Sequence, residues 1–324
     1  MRRGDRATIG RALSLVESTR PEDRARARAL LDAAGPERTD VHRIGVTGPP
    51  GVGKSTLIDV LGMRLLDRGH KVAVLAVDPS SERSGGSILG DKTRMTRLGK
   101  DPRAFVRPSP SRGALGGVAR RTRDAMRLLE GIGYDRIFVE TVGVGQSETL
   151  VAQLTDTVLG LLSPGVGDGL QGVKRGLLEW VDVVAVTHAD GAMRGAAQRT
   201  RREFRAALGL FGARDDGWIP PVCAVSAVEG DGVDELCDRI EAHFEHLVGE
   251  GRLEARRAEQ RVRWMWHLIE SGLLAGLRGR PGLAARVAAW ERAVGQGEEA
   301  PETVAESVVE ACLEGLERSV GSDT

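Results

Sequence analysis

The stretch Gly48-Pro49-Pro50-Gly51-Val52-Gly53-Lys54-Ser55-Thr56 constrains this chain more than any other. From Gly48 to Ser55 it fits G-x-x-x-x-G-K-[ST]. Before it, Arg43 to Thr47 form a short apolar run that reads as a buried strand. After it, Leu57, Ile58, Val60, Leu61, Leu65 and Leu66 recur at helical spacing. Strand, glycine loop and helix together turn the pattern into a phosphate site. Backbone N–H groups of such a loop, and of the helix start behind it, point at anionic oxygens. Glycine lets the backbone approach without a Cβ in the way. Lys54 is expected to reach the β- and γ-phosphates, and the Ser55 hydroxyl to ligate Mg²⁺.

A chain of 324 residues has room for one large domain and a smaller appendage. At 41% hydrophobic and 28% charged residues the composition is globular. Lys+Arg and Asp+Glu both number 46, so no global basic charge points to nucleic acid. Cys223, Cys237 and Cys312 are far apart and show no CxxC or Cys/His spacing. They read as buried free thiols, not as a disulfide frame or a zinc site. No apolar leader or membrane span is seen, and the expectation is a soluble, cytoplasmic protein without a membrane partner.

Residues 1–40 precede the first strand. Ile9, Leu13 and Val16 lie on one helical face. Ser18 or Thr19 is placed to cap a second helix, with Pro21 in its first turn and Gly35 at its end. A helical extension packed on the main domain is expected. From 41 to 248 strand and helix alternate. Apolar runs at 43–47, 71–77, 136–140, 156–162, 182–187 and 221–225 read as parallel strands covered on both faces. Helices are expected at 55–68, 115–130, 191–208 and 232–247. The fold class is therefore α/β, a P-loop NTPase with a doubly wound, mostly parallel sheet. Residues 249–324 change character. Val262, Trp266, Ile269, Leu273 and Leu277 form an apolar stripe, Pro281 and Pro301 divide the region into three helices, and a dimerisation arm is expected.

Ligands in doubly wound sheets bind at the carboxyl ends of strands, so further motifs are sought there. Strand 71–77 runs into Asp78-Pro79-Ser80-Ser81, where a carboxylate suits Mg²⁺. The run 84–95 places Asp91 among glycines, as a mobile switch would. Strand 136–140 ends in Glu140, placed to order the Mg²⁺ shell or the attacking water. The Gly143 N–H follows it, placed to sense a γ-phosphate. Gln146 is either a water-orienting residue or a helix-capping or interface residue. Strand 156–162 leads into a glycine-rich loop carrying Lys174, which can pair with Glu140 or a phosphate in one state. Strand 182–187 ends in Thr187-His188-Ala189-Asp190, where GTPases usually present Asn-Lys-x-Asp. Asp190 keeps the carboxylate that accepts from guanine N1 and N2. Thr187 is read as too short for the usual Asn contacts, and His188 stands where a lysine stem lies along the base. Ser226-Ala227-Val228 resembles the backbone element that meets guanine O6.

Together these residues resemble the MeaB/ArgK family of GTPase chaperones for cobalamin-dependent acyl-CoA mutases. The resemblance rests on Gly48 to Thr56, DPSS at 78–81, SGGSILGDKTRM at 84–95, ETVGVGQSE at 140–148 and PGVGDGLQGVKRG at 164–176. It implies that Asp78, Asp91 and Glu140 are the Mg²⁺ and catalytic carboxylates, beside Lys54 and Lys174. It implies that loops 84–95, 140–148 and 163–176 are switches, the last touching the mutase, and that the C-terminal arm makes a homodimer. It further implies GTP/GDP and Mg²⁺ as cofactors, and a function in loading adenosylcobalamin into the mutase and guarding it. THAD departs from the family's NKAD. The chain has no Asp-x-His-x-x-Gly cobalamin-ligating pattern, so the mutase is a separate chain.

The expected reaction is attack of water on the γ-phosphate, driven by positioning and charge stabilisation. Arg94, Arg97, Arg112, Arg120 and Arg121 are all open as a cis arginine. Three rivals stand beside it: an amino-acid kinase, a metallochaperone like the hydrogenase and urease GTPases, and a nucleotide-binding scaffold with little hydrolysis. The first needs an acceptor pocket and lid. The second needs a Cys/His entry site, which six scattered His and unclustered thiols do not supply. The scaffold draws on THAD, and intact Lys54, Asp91 and Glu140 argue against it.

Overall fold

The computed structural model describes residues 5–18, 20–77, 95–108, 115–141, 147–165, 180–214, 216–249, 251–279 and 281–320. Two compact units are present, Met1–Gln260 and Arg261–Thr324. In the first, seven strands form one sheet: β1 (His42–Thr47), β2 (Val72–Val77), β3 (Ala104–Pro108), β4 (Arg136–Thr141), β5 (Thr157–Leu162), β6 (Val183–Val186) and β7 (Val222–Ala224). Their order is β3-β2-β4-β1-β5-β6-β7, and every pairing is parallel. Strands β1, β4, β5, β6 and β7 are buried along their whole length. Helices cover both faces of such a sheet, which is why its strands read as continuous apolar runs.

Six strands lie where the sequence places them. The seventh, β3, was not anticipated. Ala104-Phe105-Val106-Arg107-Pro108 is short, pairs on one side only and carries Arg and Pro, a composition that edge strands tolerate. Its Arg107 reaches the first helix, α1 (Arg6–Val16), donating to the Glu17 carboxylate at 3.1 Å and to Gly10 O at 3.2 Å. Arg6 donates back to Gly99 O and Ala104 O. The N-terminal helix is thus tied to the sheet edge by side-chain bonds to backbone.

Helix α1 buries Ile9, Leu13 and Val16, as the stripe predicts. Its N-cap is Asp5, which accepts from Ala7 N. Helix α2 (Arg24–Ala34) ends at Gly35 with φ 82°. Ser18 does not cap it. Its hydroxyl accepts from Arg20 N and donates to Asp23, fixing the turn ahead of the single 3₁₀ turn at Pro21–Asp23. Thr19 lies outside the described residues. Helix α2 lies so close to α4 (Leu115–Ile132) that a Cβ on Gly131 would stand 2.6 Å from Ala34 O.

Helix α3 (Lys54–Asp67) follows the glycine loop and buries Leu57, Ile58, Leu61, Leu65 and Leu66 against the sheet. Helix α5 (Ser147–Leu154) lies on β1, where a Cβ on Gly45 would stand 2.1 Å from Val151 Cγ1. Helices α6 (Arg194–Phe211) and α7 (Val233–Gly249) complete the layers. Cys223 and Cys237 are buried free thiols; burial pushes the Cys237 thiol up to about 12 and Cys223 to about 11, so neither is a nucleophile at neutral pH.

The N-terminal ends of the strands are held by buried ion pairs. Arg257, on α8 (Arg252–Gly279), is 1% exposed. Its guanidinium donates to both oxygens of Asp156 at 2.9 and 2.6 Å, and to Arg38 O and Val41 O at 2.7 Å each. Burial by itself would raise the Asp156 pKa; the Arg257 fork and Arg43 outweigh it and hold the carboxyl below its ordinary value. Asp182 is likewise buried and is held down by Arg256, His243 and Arg214. Between these pairs, Thr157 Oγ1 lies 2.7 Å from both His42 Nε2 and His243 Nδ1. Gln260 donates to Ala152 O and Thr155 O, so the first turns of α8 pack with the sheet unit.

The second unit holds the rest of α8, α9 (Pro281–Gly295) and α10 (Pro301–Val320). Three helices are found, and Pro281 and Pro301 open the second and third. Proline suits the first helical turn because the N–H there has no partner to lose. Of the apolar stripe, Val262, Trp266, Ile269 and Leu273 are exposed in the single chain.

Candidate functional site

The site sits at the carboxyl ends of β1 and β4, where the strand order reverses about β1. Three loop glycines have left-handed backbones: Gly48 at φ 148°, Gly51 at 79° and Gly53 at 91°. Gly53 is the N-cap of α3. A Cβ on Gly48 would stand 2.7 Å from Leu161 O, so the loop rests directly on β5 and admits no side chain there. The loop thus presents the start of α3 and its N–H groups to the cleft.

Lys54 Nζ donates to Gly48 O at 2.8 Å and Pro49 O at 3.1 Å, folding over the loop that it closes. Ser55 Oγ donates to Glu140 Oε1 at 2.7 Å. Glu140 stands on β4 level with Val46 of β1, so sheet register brings the carboxylate to the helix start. Lys54, Ser55 and Glu140 are all buried. Together with Pro50, Gly51, Gly53, Thr56, Ala76, Thr141 and His188 they line a cavity of about 430 Å³. None of these lining residues is an arginine. Ser55 and Glu140 present oxygen donors alone, as a hard cation such as Mg²⁺ requires. No group of three or more His, Cys, Asp or Glu able to hold a metal occurs among the described residues. Asp78, Asp91, Gly143, Gln146 and Lys174 lie outside the described residues, as do Arg94 and Arg112. Arg97 is exposed, and Arg120 faces Asp124 at 3.8 Å.

A second cavity of about 160 Å³ adjoins the first and is lined by Val52, Gly53, Thr56, Leu57, Thr187, His188, Asp190, Val225, Ala227 and Val228. Asp190 Oδ2 accepts from Ser226 Oγ at 2.6 Å, and that hydroxyl accepts from Glu229 N at 3.0 Å. Ala189 N donates to Val225 O, and Ser226 N to Asp231 O. The carboxylate and the 226–228 turn therefore form one hydrogen-bonded frame. Val52 and Leu57 supply an apolar wall.

Thr187, expected to be too short for the usual Asn contacts, does bond to backbone around it. Its Oγ1 lies 2.8 Å from Val52 O, within the phosphate loop, and 3.2 Å from Leu162 O on β5. Strand β6 brings the hydroxyl close enough that a short side chain suffices. His188 has φ 53° and is the one non-glycine residue with a left-handed backbone among the described residues. Its ring lies against Gly53 and lines both cavities. Sequence reasoning also passed over Ala76 and Thr141, whose positions next to the loop depend on pairing between distant strands.

Comparison with known proteins bears on the same residues. Residues 9–281 match the family described as methylmalonyl-CoA mutase-associated GTPase MeaB. The chain is 50% identical over 310 residues to the Mycobacterium tuberculosis protein named Probable GTPase Rv1496, covering 96% of this chain and 92% of that one. It is 42% identical over 319 residues to the mouse protein named methylmalonic aciduria type A homolog, mitochondrial, covering 95% and 77%. A crystal structure of an LAO/AO transport system kinase superposes with a TM-score of 0.75 at 36% identity, covering 95% of this chain and 94% of that one. With its P-loop, Ser55–Glu140 pair and Asp190 frame, the chain belongs to the MeaB family and is a GTPase.

Proposed function

We propose that this GTPase serves a cobalamin-dependent acyl-CoA mutase, gating the loading of adenosylcobalamin and protecting the enzyme that carries it. The observation that carries the reading is a phosphate cavity with Lys54, Ser55 and Glu140 in place, in a chain that matches a mutase-associated GTPase family. In this reading the site binds nucleotide and turns it over slowly until a further contact stabilises the transition-state charge. The family's association with methylmalonyl-CoA mutase supports a mutase as the source of that contact.

In this reading Lys54 leaves the loop carbonyls for the β- and γ-phosphates, and the loop N–H groups hold the remaining oxygens. Asp190 and the 226–228 turn select guanine. Ser55 and Glu140, with Asp78 and Asp91, would hold Mg²⁺, which supplies charge neutralisation on the phosphates. Glu140 also orients the attacking water, Gly143 senses the γ-phosphate, and Lys174 pairs with Glu140 or a phosphate in one nucleotide state. The exposed stripe Val262, Trp266, Ile269 and Leu273 supports a homodimer built on the arm at 249–324, whose first turns to Gln260 pack with the sheet unit, beside a GTPase domain at 41–248 and an extension at 1–40.

Phosphate release measured with and without a candidate mutase tests this, with transfer to an added amino acid as a second readout. Slow basal release of phosphate to water, raised at least about tenfold by the mutase, is expected. Fast basal release that no mutase changes, or transfer to the amino acid, overturns it.

A further inference from the structure

We propose that His243 is the proton-sensitive part of a latch that closes the turn carrying Arg214 and Trp218 against Asp182, and that uptake of one proton at its Nε2 releases the turn. The latch lies at the N-terminal ends of the strands, on the far side of the sheet from the phosphate loop.

Thr157 Oγ1 lies 2.7 Å from both His42 Nε2 and His243 Nδ1. Its hydroxyl has one proton, so one of those nitrogens accepts and the other must donate. The outer ring nitrogens, His42 Nδ1 and His243 Nε2, are buried without a hydrogen-bond partner. Each lies 3.5 Å from a carboxylate oxygen, of Glu241 and of Asp182 respectively. The row thus has four places for a proton: the two outer nitrogens and the two gaps at Thr157. Two neutral rings and one hydroxyl supply three. One outer nitrogen is left presenting a lone pair to a carboxylate. Glu241 receives the donors of one arginine, Arg136, at 2.9 and 2.6 Å. Asp182 is better supplied, by Arg214 at 2.6 Å, Arg256 at 3.1 Å and Val158 N at 2.7 Å. The bare nitrogen is therefore His243 Nε2. Its ring carries the proton on Nδ1 and donates to Thr157, which donates to His42 Nε2, while His42 turns Nδ1–H toward Glu241.

The same Asp182 closes the turn. Arg214 donates to Asp182 Oδ1 and to Val181 O, and Trp218 Nε1 donates to Asp182 O at 2.8 Å. Arg214 N donates to Trp218 O at 3.1 Å, and Trp218 meets the His243 ring edge-on at 4.8 Å between centroids. The charged and titratable groups that face His243 are Asp182 ahead of β6, Arg256 on α8, His42 on β1 and Arg214 in the turn. A proton on Nε2 aims the imidazolium at Asp182 Oδ1, the oxygen that Arg214 holds. Three cations then crowd one carboxylate. Arg256 is fixed on a helix and His243 is wholly buried, whereas Arg214 sits on a turn, so Arg214 is the one to leave.

The test uses the full chain. Amide hydrogen exchange at Arg214, Gly217 and Trp218, corrected for intrinsic rates, reads turn opening. Burial holds His243 at about 4 in the closed chain, against an ordinary 6.5 once released. Turn opening is therefore expected to rise about 25-fold from about pH 7.5 to about pH 5, and to stay level in His243→Gln. At both pH values the turn amides should exchange faster than those of β1, as a local opening requires. ¹⁵N NMR, with His243 identified by subtraction of His243→Gln, is expected to show the Nδ1–H tautomer near pH 7.5. Arg214→Gln removes the competing cation and should move the His243 titration upward, which loss of a merely structural contact would not do. Thr157→Val removes the acceptor of Nδ1–H and should convert the ring to the Nε2–H tautomer. An Nε2–H tautomer in the parent, turn exchange that does not respond to pH, turn amides no faster than those of β1, or an unmoved His243 titration in Arg214→Gln overturns the latch.

Discussion

Replacing Arg257 with alanine should destabilise the sheet unit by about 3–4 kcal/mol, at the lower end of the range for breaking a buried ion pair. Four donor bonds are lost together: two to Asp156 and two to the carbonyls of Arg38 and Val41. The Asp156 carboxylate would then be buried beside one remaining backbone donor, Arg43 N at 2.9 Å, with the Arg43 guanidinium nearby. That residual support is why the lower part of the range applies. Arg257→Lys keeps the charge but offers no planar fork, and should cost about 1–3 kcal/mol. The double change Asp156→Asn with Arg257→Met removes both charges and should recover a substantial part of the loss, since well-packed neutral replacements of buried pairs are often tolerated. Equilibrium urea unfolding followed by far-UV circular dichroism measures all three. A loss below about 1 kcal/mol in Arg257→Ala, or a double variant worse than both singles combined, would show that Asp156 does not depend on this arginine.

Three other outcomes are expected. Burial holds His243 down at about 4, against an ordinary 6.5, and lowers His42 as well. The unfolded chain therefore takes up protons as pH falls below about 6.5 while the folded chain does not, and stability should decline between pH 6.5 and 4 by about 3 kcal/mol for His243; His243→Gln should flatten that slope in pH-dependent urea titrations, and an unchanged slope would refute it. Gly45→Ala should cost about 1–3 kcal/mol by overpacking against Val151, and Val151→Ala in the same chain should restore part of it, as thermal unfolding would show. Lys54→Ala should lower phosphate release by about a hundredfold or more with unchanged circular dichroism, and near-parental turnover would remove Lys54 from the phosphates.

The parts of this fold legible in the sequence are those that local pattern dictates. Central strands announce themselves because both faces are buried, and Pro281 and Pro301 mark helix starts because their missing N–H is harmless there. The phosphate loop is legible because left-handed glycines at fixed spacing have few other uses. Strand β3 escaped because an edge strand needs only one partner and tolerates Arg107 and Pro108. The Arg257–Asp156 pair escaped because 101 residues separate its members, and in sequence each is one charge among many. The bond from Thr187 to Val52 O escaped for a related reason: the distance it spans is set by how closely β6 approaches the loop.

The contact between Gly45 and α5 has a mechanical consequence. No methyl group fits between that helix and β1, so neither element can slide past the other without backbone strain. Helix α5 begins six residues after Thr141, the last residue of the strand that carries Glu140, and β1 runs directly into the phosphate loop. A shift of α5 along β1 is therefore resisted at Gly45, two residues before Thr47, where β1 passes into the phosphate loop.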